Sequence, residues 1–346
     1  MIKKRFLSML VLLAAVATGA WAQETYKVSV KEGTEDAANW QGKAGEGEYQ
    51  ALPLEGVAAG TAVSVKYNGT KKVKSVTATT DAGPDPLTIP LTIEAITAGS
   101  IKVTSPKAGM QYSLDGGATK TAVTTGNIAL NVGDKVQFYG NGTSITKYGD
   151  PAMDDCTMIN GSGDGFTCKV YGNIMSLVDE ENFATATTLS DKYTFKLLFY
   201  NNTKLTDASG LLLPATQLKE SCYRSMFDGC TALTAAPALP ATQLAMHCYR
   251  EMFNSCYALT AAPVLPATNL VDYCYFAMFN CCSNLATVTC LATSGINQYD
   301  STSYWLNVAG SDVQGTKTVN TVSTANWPVD NHGGIPTGWT RENIDN

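Results

Sequence analysis

The hydrophobic positions between residues 215 and 290 recur every 26 residues. Units 215–240 and 241–266 are identical at 18 of 26 positions, and a third unit begins at Ala267. A diverged copy, three residues longer, lies upstream and ends at Pro214. A period of about 20 to 29 residues is typical of a leucine-rich-repeat-type solenoid. The pattern therefore predicts stacked units that share one continuous core.

Each unit has an apolar pattern with the spacing of a helix. Leu218, Cys222 and Met226 follow one another at intervals of four residues, which predicts one apolar stripe along a helix. Thr216 is the predicted N-cap of that helix, and Gly229 stands where it would end. Residues 233–236 predict a short extended segment, closed by prolines. One helix and one strand cannot bury their own faces, so the units are expected to stack.

The first half of the chain has a different pattern, with short alternating runs separated by Gly, Asn and Pro. Residues 26–30, 63–67 and 73–76 predict the strands of a small β-module, with a hairpin turn at Asn68-Gly69. Residues 91–96, 100–103, 112–114 and 135–139 predict the strands of a second, sandwich-like module. The stretch 81–86 contains two prolines and a glycine and predicts a linker.

Together these patterns predict an α+β chain in which small all-β, sandwich-like modules precede a leucine-rich-repeat-type solenoid with a C-terminal cap. The tail breaks the 26-residue period but remains apolar, with Trp305, Trp327 and Trp339. A terminal cap of this kind covers the last open unit of a stack. The predicted ranges are a signal peptide at 1–22, a small β-module at 23–83, a β-sandwich-like module at 84–171, the solenoid at 172–292 and the cap at 293–346.

The first 22 residues have the three parts of a secretory signal peptide. Lys3, Lys4 and Arg5 precede an apolar run, and Ala20-Trp21-Ala22 forms a small-x-small cleavage site. No other stretch is long and apolar enough to predict a transmembrane segment. The chain is therefore expected to be exported, and to be secreted, held at the cell surface or kept in the periplasm.

The charge of the chain argues against nucleic-acid partners. The formal net charge is −6, and removal of the three signal-peptide cations takes it to −9 (−6 − 3). A nucleic-acid-binding domain normally carries a basic face. We therefore expect no nucleic-acid partner.

The paired cysteines of the repeats are the strongest candidates for chemistry. Their C-x7-C spacing does not match the short spacings of zinc sites, and His247 is the only histidine in the repeats. Residues 160–165 resemble the first half of a calcium loop, but Tyr171 occupies the position that requires Glu. The sequence therefore predicts no metal, no cofactor, no catalytic residue and no enzymatic activity, although a hydrolase with an unrecognised site stays an alternative.

Disulfides and a structural ladder are the other interpretations of the cysteines. On the predicted helix Cys222 and Cys230 are too far apart to bridge, whereas a bridge between units stays open. In the diverged upstream unit an asparagine stands at the second cysteine position. A small polar side chain there can satisfy backbone groups that the turn leaves unpaired. This exchange predicts a structural ladder formed by Asn202, Cys230, Cys256 and Cys282.

One block of each unit changes while the core positions repeat. Residues 219–221 are replaced wholesale in the next two units, and Arg224 and Arg250 give way to Phe276. Helical geometry places this block partly off the apolar stripe. Exposed positions drift readily, but exposed apolar and aromatic groups together tend to mark contact surfaces. The candidate binding face therefore comprises Lys219, Glu220, Arg224, Met246, His247, Arg250, Asp272, Tyr273 and Phe276.

The repeat unit A-T-x-L-x-x-x-C-Y-x-x-M-F-x-x-C-x-x-L-T-x-A-P-x-L-P resembles that of the BspA-like leucine-rich-repeat surface proteins of Gram-negative anaerobes. The tail at residues 334–340 is similar to the usual ending of that group. This resemblance implies an exported, non-enzymatic binding or adhesion protein, with a host or bacterial protein or a glycan as its partner. The alternative is an accessory glycan-binding protein of a polysaccharide-utilisation system.

Overall fold

A computed structural model describes residues 85–140 and 156–344 continuously, together with short segments of the first 84 residues. Those segments are 9–11, 25–28, 40–44, 48, 50–51, 54–58 and 63–67. The chain divides into two compact units, Met1–Asp85 and Pro86–Asn346. The predicted cleavage site after Ala22, the predicted turn at Asn68-Gly69 and the predicted strand at 73–76 lie outside the described residues.

Apart from Glu48, the described segments of the first compact unit are β-strands. They are β1 (Met9–Val11), β2 (Thr25–Val28), β3 (Trp40–Ala44), β4 (Gln50–Ala51), β5 (Leu54–Ala58) and β6 (Val63–Tyr67). One antiparallel sheet has the order β1-β6-β3-β4, and β2 pairs antiparallel with β5. The strand predicted at residues 63–67 coincides with β6.

The described residues of the second compact unit form eight strands before the repeats. The strands are β7 (Thr92–Ala95), β8 (Gly99–Thr104), β9 (Gln111–Ser113), β10 (Thr121–Ala122), β11 (Asn127–Leu130), β12 (Lys135–Tyr139), β13 (Met158–Ser162) and β14 (Cys168–Asn173). In β8, β11 and β12 apolar residues at alternate positions direct one side of the strand to the core. One sheet contains β10-β9-β12-β7-β14, and a second contains β11-β8-β13. Ile93 and Val136 of the first sheet share one buried cluster with Ile101 and Ile159 of the second.

The first of these sheets continues into the repeat region. Strand β15 (Leu205–Leu212) lies parallel to β14 and extends the sheet to six strands. The next unit is joined to β15 by a parallel bridge between Asp207 and Ala235. The repeats are therefore joined to the β-rich region through this shared sheet, and the two share one buried core.

The expected α+β class is wrong, and so is the expected leucine-rich-repeat solenoid with one helix per unit. The second unit is nearly all-β, with twelve strands in three sheets and 3% helical residues. Among the described residues the helical segments are two 3-10 helices, Pro86–Thr88 and Ile174–Leu177. None is long and apolar enough to cross a bilayer. In the segment 216–229, for which the sequence predicts a helix, residues 220–229 are turns and Gln217 forms parallel bridges to neighbouring units.

Two alternating sets of hydrogen bonds explain why these segments are not helices. Every second N–H donates to a carbonyl of the next unit, as Tyr223 N does to Cys248 O at 3.0 Å. The N–H groups between them donate to the carbonyl three residues earlier and close four-residue turns, as Met226 N does to Tyr223 O at 3.3 Å. Every fourth residue has a positive φ, including Ser221 (55°), Ser225 (52°) and Gly229 (76°). The backbone bonds of one unit thus require the next unit.

This geometry also explains why the sequence pattern predicts a helix. The turn conformation repeats every four residues, so apolar side chains at i, i+4 and i+8 lie on one side, as they nearly do on an α-helix of period 3.6. In unit 215–240 the positions of positive φ are all occupied by Ser or Gly, whereas in unit 241–266 they are occupied by His247, Glu251 and Ser255. An i, i+4 pattern that persists without drift over twelve residues, with Ser or Gly at a fixed phase, favours the turn structure.

The tail contains a fourth diverged unit and a small sheet. Asp300, Tyr304 and Val308 have positive φ at the phase of the earlier units, and Ser301 to Asn307 accept hydrogen bonds from the third unit. Strands β16 (Thr287–Cys290), β17 (Lys317–Thr321) and β18 (Trp339–Asn343) form a parallel sheet. The Trp305 ring stacks on Trp327, with centroids 5.0 Å apart.

Candidate binding face

The unit-to-unit hydrogen bonds place equivalent residues of successive units side by side. Neighbouring hydrogen-bonded strands lie about 4.8 Å apart, and side chains at equal positions therefore come into contact. Inside the stack this produces two rows of buried rings. Phe199, Phe227, Phe253 and Phe279 stack with centroids 5.4, 5.5 and 5.6 Å apart, and Phe195, Tyr223, Tyr249 and Tyr275 form the second row.

The same register brings predicted residues of the binding face together outside the core. The His247 and Tyr273 rings lie 4.7 Å apart, and the Tyr273 and Phe276 rings 5.7 Å apart. Phe276 meets Tyr304 edge to face at 5.7 Å, and Tyr304 lies 4.6 Å from His332. We call His247, Tyr273, Phe276, Tyr304 and His332 the aromatic row. It crosses three units and reaches the tail.

Arginines border the aromatic row and converge on one carboxylate. The Arg250 guanidinium lies over the Phe276 ring, 4.5 Å from its centroid, and donates from Nε and an Nη to Glu251 Oε1 at 3.2 and 3.1 Å. Arg224 approaches the other Glu251 oxygen at 3.7 Å, and the Ser225 hydroxyl lies 3.1 Å from that oxygen. Stacking and ion pairing together hold Arg250 in one orientation.

Glu220 and Asp300 carry further polar contacts of the face. Lys192 Nζ lies 2.6 Å from Glu220 Oε2, and the Tyr193 hydroxyl donates to Oε1 at 3.1 Å. The hydrogen bond from Lys192 lowers the pKa of Glu220. Asp300 accepts from Ser303 at 2.7 Å and from the Tyr273 hydroxyl, and these bonds lower its pKa. Both carboxylates are therefore ionised at neutral pH.

The remaining predicted residues differ in how closely they join this network. The carbonyl of Asp272 accepts from His247 N at 3.1 Å, which fixes the backbone beside the aromatic row. Met246 is 42% exposed and Lys219 is also exposed. Among the described contacts, neither of these two side chains is joined to the aromatic row or to Glu251.

The formal charges of the face cancel. Lys192, Lys219, Arg224 and Arg250 contribute four positive charges, and Glu220, Glu251, Asp272 and Asp300 contribute four negative ones. Burial lowers the pKa of His247, and the neighbouring Arg250 and Arg224 lower it further. His247 is therefore neutral at pH 7. The face offers no net charge to steer an ionic partner.

The sequence prediction missed Tyr304, His332 and Glu251. Tyr304 belongs to the fourth unit, whose Trp305-Leu306-Asn307 matches the large-large-Asn order of Met278-Phe279-Asn280. This match in the sequence predicts that Tyr304 continues the repeat. Glu251 follows Arg250 directly but lies outside the block that was compared between units. Nothing in the sequence places His332, because the tail folds back on the stack outside the repeat.

The predicted ladder residues lie fully inside the stack. The thiols of Cys230, Cys256 and Cys282 donate to the carbonyls of Phe199, Phe227 and Phe253 at 3.1, 3.2 and 3.0 Å, each in the preceding unit. Asn202, which is 1% exposed, donates to Ile159 O at 3.1 Å and accepts from Gly161 N and Lys204 N. All four side chains therefore form hydrogen bonds with backbone groups, the cysteines with the preceding unit and Asn202 chiefly with strand β13.

The cysteine environment provides little for thiol chemistry. Burial raises the pKa of Cys222, Cys274 and Cys290 to about 12, and raises it also for Cys230, Cys248, Cys256 and Cys282. The thiolate is the nucleophile and the metal ligand, so these groups are held in the unreactive form. Within the part of the chain that the structure describes, no three His, Cys, Asp or Glu residues are placed to hold a metal ion.

Comparison with protein-family models, with curated proteins and with solved structures gives no match to this chain.

Proposed function

We propose that this protein is an exported, non-enzymatic binding or adhesion protein that presents the candidate binding face, extended by Tyr304 and His332, to a ligand outside the cell. The observation that carries the proposal is the aromatic row, in which five rings from three units and the tail contact one another beside Arg250. Clusters of aromatic and arginine side chains dominate binding energy at known interfaces.

The position of the row within the fold supports this proposal. The repeats already bury two complete rows of aromatic rings in their core, so the aromatic row, which is half-buried to exposed, is not needed to complete that core. Large hydrophobic side chains in contact with one another at a surface tend to mark a binding site. The predicted signal peptide and the resemblance of the repeats to BspA-like surface proteins point to the same class of function.

The decisive experiment replaces Met246, Tyr273 and Phe276 with Ser together and measures binding of the labelled mature chain to bacterial and epithelial cell surfaces. We expect at least a tenfold loss of affinity, because the loss of one hot-spot side chain commonly costs about 2 kcal/mol. A matched control replaces Tyr257, which is 46% exposed and belongs to none of the face positions, with Ser.

The folding of both variants is checked by thermal unfolding. Equal binding by the triple variant and the wild type, with unchanged melting, would locate the binding site elsewhere on the chain.

A further inference from the structure

The exposed end of the aromatic row combines rings with ionised groups that already have partners. Tyr304 is 43% exposed, and His332 beside it is also exposed, whereas His247, Tyr273 and Phe276 are half-buried. Asp300 lies next to these rings and is held by Ser303 and Tyr273. The ion pair of Arg250 and Glu251 lies on the other side of Phe276.

This mixture restricts the chemistry of the ligand. An apolar protein surface laid over the row would remove water from Glu251, Arg250 and Asp300 without replacing their hydrogen bonds, which is costly for charged groups. A strongly charged ligand gains little electrostatic binding energy, because the positive and negative charges of the face cancel. The ligand therefore needs an apolar patch the size of one ring, bordered by neutral hydrogen-bonding groups.

A neutral sugar ring has both properties. Its axial C–H groups form an apolar face that packs on an aromatic ring, and its equatorial hydroxyls donate to carboxylates and accept from guanidinium groups. Resting on the proposed function, we infer that the face binds an uncharged saccharide, which packs on Tyr304 and His332 while its hydroxyls bond to Asp300. Arg250 and Glu251 then form a second polar border across Phe276.

The test uses affinity electrophoresis of the mature chain through gels that contain starch, xylan, mannan or arabinogalactan. We expect at least one of these neutral polysaccharides to retard the wild type, and soluble oligosaccharide of the same composition to reverse the effect. Tyr304→Ala and Asp300→Asn should each weaken retardation about tenfold, while Tyr257→Ala should leave it unchanged. The melting temperature of each variant separates loss of binding from loss of fold.

A second arm distinguishes this inference from the proposed function. Cell surfaces are treated either with periodate, which cleaves vicinal diols, or with protease, and the binding of the wild type and of Tyr304→Ala is compared. Binding that periodate removes and protease spares supports the saccharide. Binding that needs Tyr304 but is lost only with protease keeps the proposed function and overturns the saccharide class. Lack of retardation by all four polysaccharides, or equal retardation of Tyr304→Ala, also overturns it.

Discussion

Asp228 ends a row of amide side chains that crosses the stack. Asn254 donates to Asp228 at 2.8 Å, Asn280 donates to Asn254 at 2.8 Å, and Asn307 donates to Asn280 at 2.9 Å. All three bonds run in the same direction, so the row ends on an acceptor. Burial raises the pKa of Asp228 to about 6, against the opposing hydrogen bond from Asn254. The fold therefore favours the protonated acid.

This raised pKa predicts how stability depends on pH. Between the unfolded pKa of Asp228, about 3.9, and its folded value, the folded state binds more protons at this site, so the contribution of Asp228 to stability falls as pH rises from about 4 to 6. Asp228→Asn removes this dependence and should stabilise the protein at pH 7.5 by about 1–2 kcal/mol, a figure reduced for partial exposure. Urea unfolding at pH 4.5 and 7.5 measures both effects. Asp312→Asn, at an exposed aspartate, is the control.

The buried tyrosine row gives a second residue-level prediction. The hydroxyls of Tyr223, Tyr249 and Tyr275 are buried and have no hydrogen-bond partner among the described residues, and Phe195 occupies the equivalent position in the diverged upstream unit. A buried hydroxyl without a hydrogen-bond partner destabilises the folded state, so its removal does not lower the free energy of unfolding. We expect Tyr249→Phe to leave the free energy of unfolding unchanged or to raise it by up to about 1 kcal/mol.

The matched comparison is Tyr249→Ala. It removes the stacked ring as well as the hydroxyl and should cost about 3–5 kcal/mol. Guanidinium unfolding of both variants gives the two values. A large destabilisation by Tyr249→Phe would mean that the hydroxyl has a partner in solution, and would contradict the prediction.

At the scale of elements, the repeat was predictable and its secondary structure was not. The 26-residue identity predicts contact between equivalent residues, and the Phe227–Phe253 and His247–Tyr273 contacts follow from it. The helix prediction failed because a four-residue turn period and a helical period are nearly indistinguishable over twelve residues. Which bonds the backbone forms is decided by the neighbouring unit, and a single unit in isolation does not contain that information.

The ladder cysteines lead to a prediction about thiol reactivity. Cys281 is half-buried, whereas the other repeat cysteines are fully buried with raised pKa values. At pH 8 we expect Ellman's reagent to react quickly with about one thiol per folded chain and with most thiols after denaturation in guanidinium. Cys281→Ser should remove the fast reaction. Rapid reaction of several thiols in the folded protein, or disulfides mapped within a unit by mass spectrometry, would contradict the buried ladder.

The whole molecule depends on how its last open unit is covered. Trp305 stacks on Trp327 and donates from Nε1 to Gly334 O at 2.8 Å, and the Thr302 hydroxyl donates to Gly333 O at 2.7 Å. Residues 313–346 contain Trp327, Gly333 and Gly334, and they also contain strands β17 and β18. Removing them exposes the fourth unit, whose Trp305 and Leu306 are otherwise almost completely buried. Exposed apolar ends of stacked repeats promote aggregation.

We therefore expect a chain ending at Asp312 to form oligomers at micromolar concentration and to lose at least about 3 kcal/mol, the cost of deleting one large buried aromatic ring. Light scattering coupled to gel filtration gives the mass, and urea unfolding gives the free energy. Trp327→Ala in the full chain is the graded version and should destabilise without oligomers, while Trp327→Phe should cost less because a ring still stacks on Trp305. If the truncated chain remains monomeric and unfolds at the same urea concentration, the fourth unit does not need the tail as its cover.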